Sequence, residues 1–323
     1  MEIYMNIAIL DAATLGDDME FSCFEKLGTV SVFTKTAPED ITAHLQNSDC
    51  AILNKVKLSA EILEALPSLR LICITATGFD NVDVSYCASH GIAVCNVAGY
   101  STQSVAQLTV AFVLSLANNL TIFDEYVKSG DYTKSGIHNR LTPVFHEVCG
   151  KTWGIVGFGN IGKQVARVAQ SLGCRVIAFK RAHEEGAECV SLEELMERSD
   201  IISVHLPSSG ETAGIISREM IGRMKKSAIL INVARGAVID EEAVTEALEE
   251  GNIAGFASDV YTTEPFPKAH PYSRLSEYRN VLLTPHMAWG TYEARVRLLE
   301  EVALNIESFV SGGTRSRVNL KAK

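Results

Sequence analysis

The chain has 323 residues, 47% of them apolar, enough for two domains of ordinary size with cores of their own. Its 39 acidic side chains outnumber 29 basic ones, for a formal net charge of −10. That balance argues against non-specific nucleic-acid binding, which needs clustered Lys and Arg to displace phosphate counterions. No charge block or low-complexity tract marks a disordered region.

The N-terminal stretch "MEIYMNIAILDAA" lacks the basic start and long apolar core of a signal peptide. Short apolar runs at 6–10, 30–33, 50–53, 69–75 and 92–96 read as strands, with amphipathic segments between them. One such segment, "TAPEDITAHL", carries Pro38 at a good first-turn position with acids beside it. "VAQLTVAFVLSLANNL" reads as a buried or interface helix, because Gln, Thr, Ser and Asn interrupt it and it is too short to span a bilayer. No membrane partner is expected.

The β-α-β rhythm restarts at "KTWGIVGFGNIG". Strands are predicted at 175–179, 200–206, 227–234, 253–260 and 280–285. "SLEELMERS" opens on Ser191 with Glu194 three residues on, a capping box. "DEEAVTEALEEGN" starts with acids and stops at Gly251. "TYEARVRLLEEVALNIESFVSG" is a long amphipathic helix that could return to the first unit. The fold class is therefore α/β, with two units each built on a parallel sheet covered on both faces.

The eight cysteines (Cys23, Cys50, Cys73, Cys87, Cys95, Cys149, Cys174, Cys189) include no CxxC pair. They read as buried reduced thiols, which points to a reducing compartment and a cytoplasmic protein. No metal site is expected.

"GFGNIG", Gly157 to Gly162, follows the apolar strand "TWGIV" and opens the helix "IGKQVARVAQSLG". In that context Gly157 permits the tight turn, Gly159 lets a pyrophosphate approach the backbone, and Gly162 lets helix and strand pack closely. The helix N-terminus offers free N–H groups to phosphate, with Phe158, Asn160 and Ile161 completing the loop.

Ligands of open α/β sheets bind beyond the carboxyl ends of the strands, and three polar residues stand there. Arg235 follows "AILINVA"; it could pair with a helix acid, or hold a carboxylate or carbonyl oxygen with its planar fork. Glu264 lies in "DVYTTEPFP" downstream of Asp259, on a backbone fixed by Pro265 and Pro267. His286, in "LLTPHMAWG", is suited to acid and base work near neutrality, and a neighbouring carboxylate would favour its imidazolium.

Together these residues resemble the D-isomer-specific 2-hydroxyacid dehydrogenases over nearly the whole chain. The likeness rests on "TATGFDNVDVSYCASHGIAVCNVAGYSTQSVAQ", then on "GFGNIG", "INVARGAVID", "SDVYTTEP" and "LTPHMAWGT" in that order. "GYSTQSVAQ" and "TPHMAWGTYEARVRLL" look most like glycerate dehydrogenases, also called hydroxypyruvate reductases.

The resemblance implies two doubly wound domains: a flavodoxin-like substrate domain at 1–98 plus 290–323 and a Rossmann NAD(P)-binding domain at 99–289. It implies an active site in the cleft between them, and a homodimer to which a 101–128 helix contributes. It implies that Arg235 binds the substrate carboxylate and keto oxygen, that His286 is the proton donor in reduction, and that Glu264 holds and tunes it. The backbone of Ala76, Thr77 and Gly78 would hold the substrate carboxylate, with Asn54 and Lys55 approaching it. His205, Pro207, Thr212, Val233, Ala234 and Asp259 would line the cofactor. The expected reaction is hydride transfer between NAD(P)(H) and a small 2-oxo or 2-hydroxy acid, with hydroxypyruvate to D-glycerate the first choice.

D-Lactate and short phosphoglycerate dehydrogenases are the enzymatic alternatives, and a dinucleotide-sensing corepressor scaffold is the non-enzymatic one. Formate oxidation releases no hydroxyl proton, and formate enzymes of this family have an amide where Glu264 stands. At Lys180, which follows Gly162 after seventeen intervening residues, NAD-preferring relatives commonly carry Asp, which binds the adenosine ribose and repels a 2′-phosphate. Lys180 and Arg181 remove that repulsion and supply positive charge, so the sequence leans toward NADP.

Overall fold

The computed structural model describes residues 4–180 and 186–320. The chain forms two compact units, Met1–Ser101 with Gly290–Lys323, and Thr102–Trp289.

The first unit holds β1 (Met5–Ile9), β2 (Gly28–Val32), β3 (Cys50–Leu53), β4 (Leu71–Ile74) and β5 (Ala93–Cys95). They form one parallel sheet in the order β2-β1-β3-β4-β5. Every residue of β3, β4 and β5 is buried, as unbroken apolar runs such as "CAIL" and "LICI" require of a sheet covered on both faces. Helices α1 (Ile41–Leu45), α2 (Ala60–Glu64) and α3 (Val84–Ser89) connect them. Pro38 opens a 3-10 turn, Pro38–Asp40, that leads into α1. The C-terminal helix Tyr292–Val310 closes this unit, burying Leu298, Val302 and Ile306 along one stripe. The order places the topological switch point between β1 and β3.

The second unit begins with α4 (Thr102–Ala117), α5 (Leu120–Lys128) and α6 (Asp131–Ser135). The single helix expected over 101–128 is thus two, turned by 65° where Asn119 adopts φ 51°. Asn tolerates this left-handed backbone better than most residues, which is why the break falls there. The sheet is parallel, in the order β12-β11-β10-β9-β6-β7-β8. Its strands are β6 (Thr152–Val156), β7 (Arg175–Phe179), β8 (Glu188–Cys189), β9 (Ile201–Val204), β10 (Ile229–Asn232), β11 (Gly255–Ser258) and β12 (Val281–Leu283). Between them run α7 (Asn160–Ser171), α8 (Leu192–Arg198), α9 (Arg218–Gly222) and α10 (Glu241–Glu249). The two-residue edge strand β8 was not expected, since "EC" carries no alternation to read. Ser191 caps α8, its hydroxyl accepting the Glu194 N–H at 3.1 Å. No single helix among the described residues is long and apolar enough to cross a membrane.

The central strand β6 is buried along its whole length, with Trp153 fully enclosed. Gly154 lies directly under α8: a Cβ there would overlap the Ser199 hydroxyl and stand 2.6 Å from Leu195 Cδ2. Overpacking of this kind costs about 1–3 kcal/mol. Gly154→Ala is therefore expected to lower the unfolding free energy by that amount in chemical denaturation; an unchanged midpoint would mean that α8 lifts without cost.

Candidate active site

The polar residues of the second unit gather at the carboxyl ends of β6, β9, β10, β11 and β12. The turn after β6 shows why three glycines are needed, for two different reasons. Gly157 has φ +99°, and a Cβ on it would stand 2.8 Å from the backbone carbon of His205. A Cβ on Gly162 would overlap the Gly157 carbonyl. Gly159 is exposed and a Cβ on it would meet nothing within 4 Å. Two glycines thus serve internal packing, and the third leaves room for something that is not protein. Gly159 is the N-cap of α7 and supplies no side-chain cap, so the first-turn N–H groups point at that space. This cradle fits a dinucleotide pyrophosphate. Phe158 is buried, which leaves its backbone as the part available to a ligand. Lys180, just past β7, is half-buried; Arg181 lies outside the described residues.

His205 follows β9 beside this turn. The Trp153 indole donates to Ser203 Oγ at 2.9 Å, and Ser203 Oγ lies 3.0 Å from His205 Nε2. The residue is half-buried overall, yet its Nδ1 is shut off from solvent and meets no hydrogen-bond partner among the described residues. In either tautomer Nδ1 keeps an unused valence. Burial of the ring lowers its pKa to about 3, so the imidazole is neutral. Thr212 closes the following turn by donating to the Pro207 carbonyl at 2.6 Å and accepting the Ser209 N–H at 2.8 Å.

Val233 and Ala234 are buried after β10. Asn232 shapes the bend, accepting from the Ala234 N–H at 3.1 Å and donating to the Arg235 carbonyl at 3.0 Å. Arg235 leaves it extended and half-buried, with Nη1 donating to the Ala234 carbonyl. Among the described residues no carboxylate pairs with it, so the helix-acid explanation for this arginine does not apply. Gly236 beside it has no room for a side chain: a Cβ would overlap the backbone of Tyr261 and Thr262.

Glu264 and His286 meet. Glu264 Oε2 lies 2.6 Å from His286 Nδ1, and Glu264 Oε1 accepts the Tyr261 N–H at 3.0 Å. Both side chains stay partly open, at 30% and 22% exposure, so the pair is accessible to a small molecule. His286 sits in the left-handed region, φ 53°, a conformation that the surroundings must enforce.

Asp259 enforces it. Its carboxylate is fully buried and accepts from the Thr284 hydroxyl at 2.6 Å, the Met287 N–H at 2.8 Å and the Ala288 N–H at 2.8 Å. Burial pushes this carboxyl above its ordinary range; the three donors and the nearby imidazole oppose the shift. Ser104 of α4 donates to the Ala288 carbonyl at 2.5 Å, so the turn is held from both sides.

In the first unit, Asn54 and Lys55 follow β3. The Asn54 side chain turns inward and donates to the Thr75 carbonyl at 2.9 Å, while Lys55 is exposed. Ala76 and Gly78 are half-buried, and the exposed Thr77 donates its hydroxyl to Val97 O at 2.9 Å. The sequence reading missed Asp11, whose buried carboxylate accepts the N–H groups of Asn54, Lys55 and Val56 at 2.6–3.2 Å. It missed Ser203, Thr284 and the pair Glu241–His270 as well. Asp11 does stand just beyond a strand, but so do many loop acids.

Residues 110–288 match the family described as D-isomer specific 2-hydroxyacid dehydrogenase, NAD binding domain. A glycerate dehydrogenase of Methylorubrum extorquens is 37% identical over 275 residues, 85% of this chain and 87% of that protein. A hydroxypyruvate reductase of Blautia hydrogenotrophica is 32% identical over 98% of this chain and 100% of its own. The crystal structure of an Aquifex aeolicus D-lactate dehydrogenase, complexed with NAD and lactic acid, superposes with a TM-score of 0.86 at 28% identity, covering 98% of this chain and all of that one.

A histidine kept neutral by burial makes acid tolerance testable. Between pH 6.5 and about 3 the unfolded chain protonates His205 and the folded chain does not, so stability rises with pH across that window. His205→Gln should make the slope of unfolding free energy against pH shallower there, by up to about 1.4 kcal/mol per pH unit; an unchanged slope would show that the ring charges in the fold.

Proposed function

The chain belongs to the D-isomer-specific 2-hydroxyacid dehydrogenases, and from that membership we propose that it reduces hydroxypyruvate to D-glycerate with NADPH as the preferred reductant. As a member of this family it is an oxidoreductase acting between a nicotinamide cofactor and a small D-2-hydroxy or 2-oxo acid. The single observation that carries the assignment of roles is the His286–Glu264 contact of 2.6 Å, on a backbone held open by a buried aspartate.

When bound, the reduced nicotinamide supplies the hydride. The pyrophosphate belongs over Gly157 to Gly162 and the N-terminus of α7, with Val233, Ala234, Pro207, Thr212 and His205 lining the rest. As the carbonyl carbon of the 2-oxo acid is reduced, negative charge grows on its oxygen. Arg235, which pairs with no carboxylate among the described residues, binds the substrate carboxylate and that oxygen. His286 delivers the proton from Nε2, because Nδ1 is engaged by Glu264. Glu264 stabilises the imidazolium and fixes the ring orientation. In the oxidative direction the same Nε2 accepts the hydroxyl proton. In the first unit, the backbone of Ala76 to Gly78 and the exposed Lys55 are the groups proposed to meet the substrate carboxylate.

The NADPH preference rests on charge. Lys180 stands where a carboxylate would repel a 2′-phosphate, and an advantage of about 1.4 kcal/mol is already tenfold in affinity. A homodimer is proposed from the surface of the second unit: Leu120, Val127, Ile137, Leu141 and Val144 are each 55–70% exposed on one stretch of chain. A second copy covering that stretch would remove the apolar surface from water.

Steady-state rates with hydroxypyruvate, glyoxylate and pyruvate against NADPH and NADH test the substrate and cofactor together; hydroxypyruvate is expected to give the highest kcat/KM. His286→Ala should lose about a hundred- to ten-thousand-fold in kcat with cofactor affinity kept, and near-normal turnover in that variant would sink the assignment. Lys180→Asp should move the NADPH/NADH ratio of catalytic efficiencies toward NADH by about tenfold or more. If the ratio stays put, cofactor choice is set elsewhere.

A further inference from the structure

The second unit contains another His–Glu pair, Glu241 and His270, with the histidine on the same loop as Glu264. Glu241 is the first residue of α10, and its side chain is only 10% exposed; His270 is 6% exposed. His270 Nδ1 accepts the Tyr272 N–H at 3.2 Å, so the ring proton is on Nε2. That Nε2–H points at Glu241 Oε2, 2.9 Å away. Glu241 Oε1 accepts the Thr262 N–H at 3.0 Å. One buried carboxylate therefore ties together the two ends of the loop that carries Glu264.

The loop is closed further by rings. Tyr261 meets Phe266 edge-on at 4.7 Å, and Phe266 lies 4.7 Å from His270. Tyr261 is the hub. Its N–H holds Glu264 Oε1, and its hydroxyl donates at 2.8 Å to the carbonyl of Thr284, which also accepts the His286 N–H. Glu241 thus fixes residue 262, next to the residue that orients both members of the Glu264–His286 pair.

We propose that Glu241 and His270 form a positioning pair that holds the 261–270 loop so that the Glu264 carboxylate meets His286 Nδ1; the proposal rests on the acid–base reading of His286 given above. Neither residue needs to touch substrate. Their effect on turnover passes through the Glu264–His286 contact that this loop holds.

That last property gives the test. In a double-mutant cycle of Glu241→Ala with Glu264→Gln, Glu241→Ala alone is expected to lower kcat about ten- to hundredfold, since a displacement of about 1 Å in a catalytic group can cost that much. KM for the nicotinamide cofactor should stay within about twofold. In the Glu264→Gln background the same change should cost no more than about twofold further, because the group it positions has gone. Glu241→Gln, which keeps the shape and the acceptor for Thr262, protects against a misfolded variant. It should show the same coupling with a smaller loss. An equal loss in both backgrounds, or no loss from either variant, overturns the proposal. His286→Ala and Glu264→Gln measured singly judge the acid–base reading itself: near-normal turnover in both would sink that reading, whereas large losses there with an additive Glu241→Ala would sink the positioning pair alone.

Discussion

A carboxylate removed from water must be given other donors, and the second unit is arranged around that requirement at Asp259. Desolvation of a buried acid costs several kcal/mol in real proteins, and charged hydrogen bonds return about 1.5–3 kcal/mol each. The donors come from Thr284, Met287 and Ala288, so satisfying Asp259 means drawing in the turn after β12. With the turn drawn in, His286 takes the left-handed region. The placement of the histidine is in this sense a by-product of keeping an aspartate solvated by protein. The first unit uses the same device at Asp11, whose carboxylate collects three successive N–H groups of the turn after β3.

Much of the fold was legible because burial on both faces leaves little freedom in a strand. "CAIL" and "RVIAF" are strands with the bounds their composition suggests, since no polar residue offers an earlier stop. Strands with polar ends, such as "DIISVHL", shrink to their apolar centre. The helix over 101–128, expected as one piece from the family resemblance, breaks where Asn119 takes a left-handed backbone, which no sequence pattern registers. The paired glycines at 157 and 162 were legible as a motif, but their reason is contact with His205 and with Gly157 itself, which only coordinates reveal.

The candidate site was legible in part, along one divide. Arg235, Glu264 and His286 stand at strand ends as isolated polar letters among apolar ones, which is how they stand out. Residues that hold them do not. Glu241 reads as a helix-start acid and is one. Its second engagement, with Thr262 and His270, depends on a loop folding back across 29 positions of sequence, and nothing local announces it. Asp259 was expected near the cofactor from the family resemblance; its hold on Thr284, Met287 and Ala288 through a buried carboxylate is a further role that no local pattern announces.

Gly236 joins two parts of this site that sequence keeps apart. It follows Arg235 directly, and it packs face to face with the backbone of Tyr261 and Thr262, with no space for even a methyl group. The arginine bend and the Glu264 loop therefore share a wall. A shift of one backbone is transmitted to the other, so the arginine and the Glu264–His286 pair keep their relative placement. A designer who wishes to move this arrangement to another scaffold has to transplant 232–241 and 259–272 together.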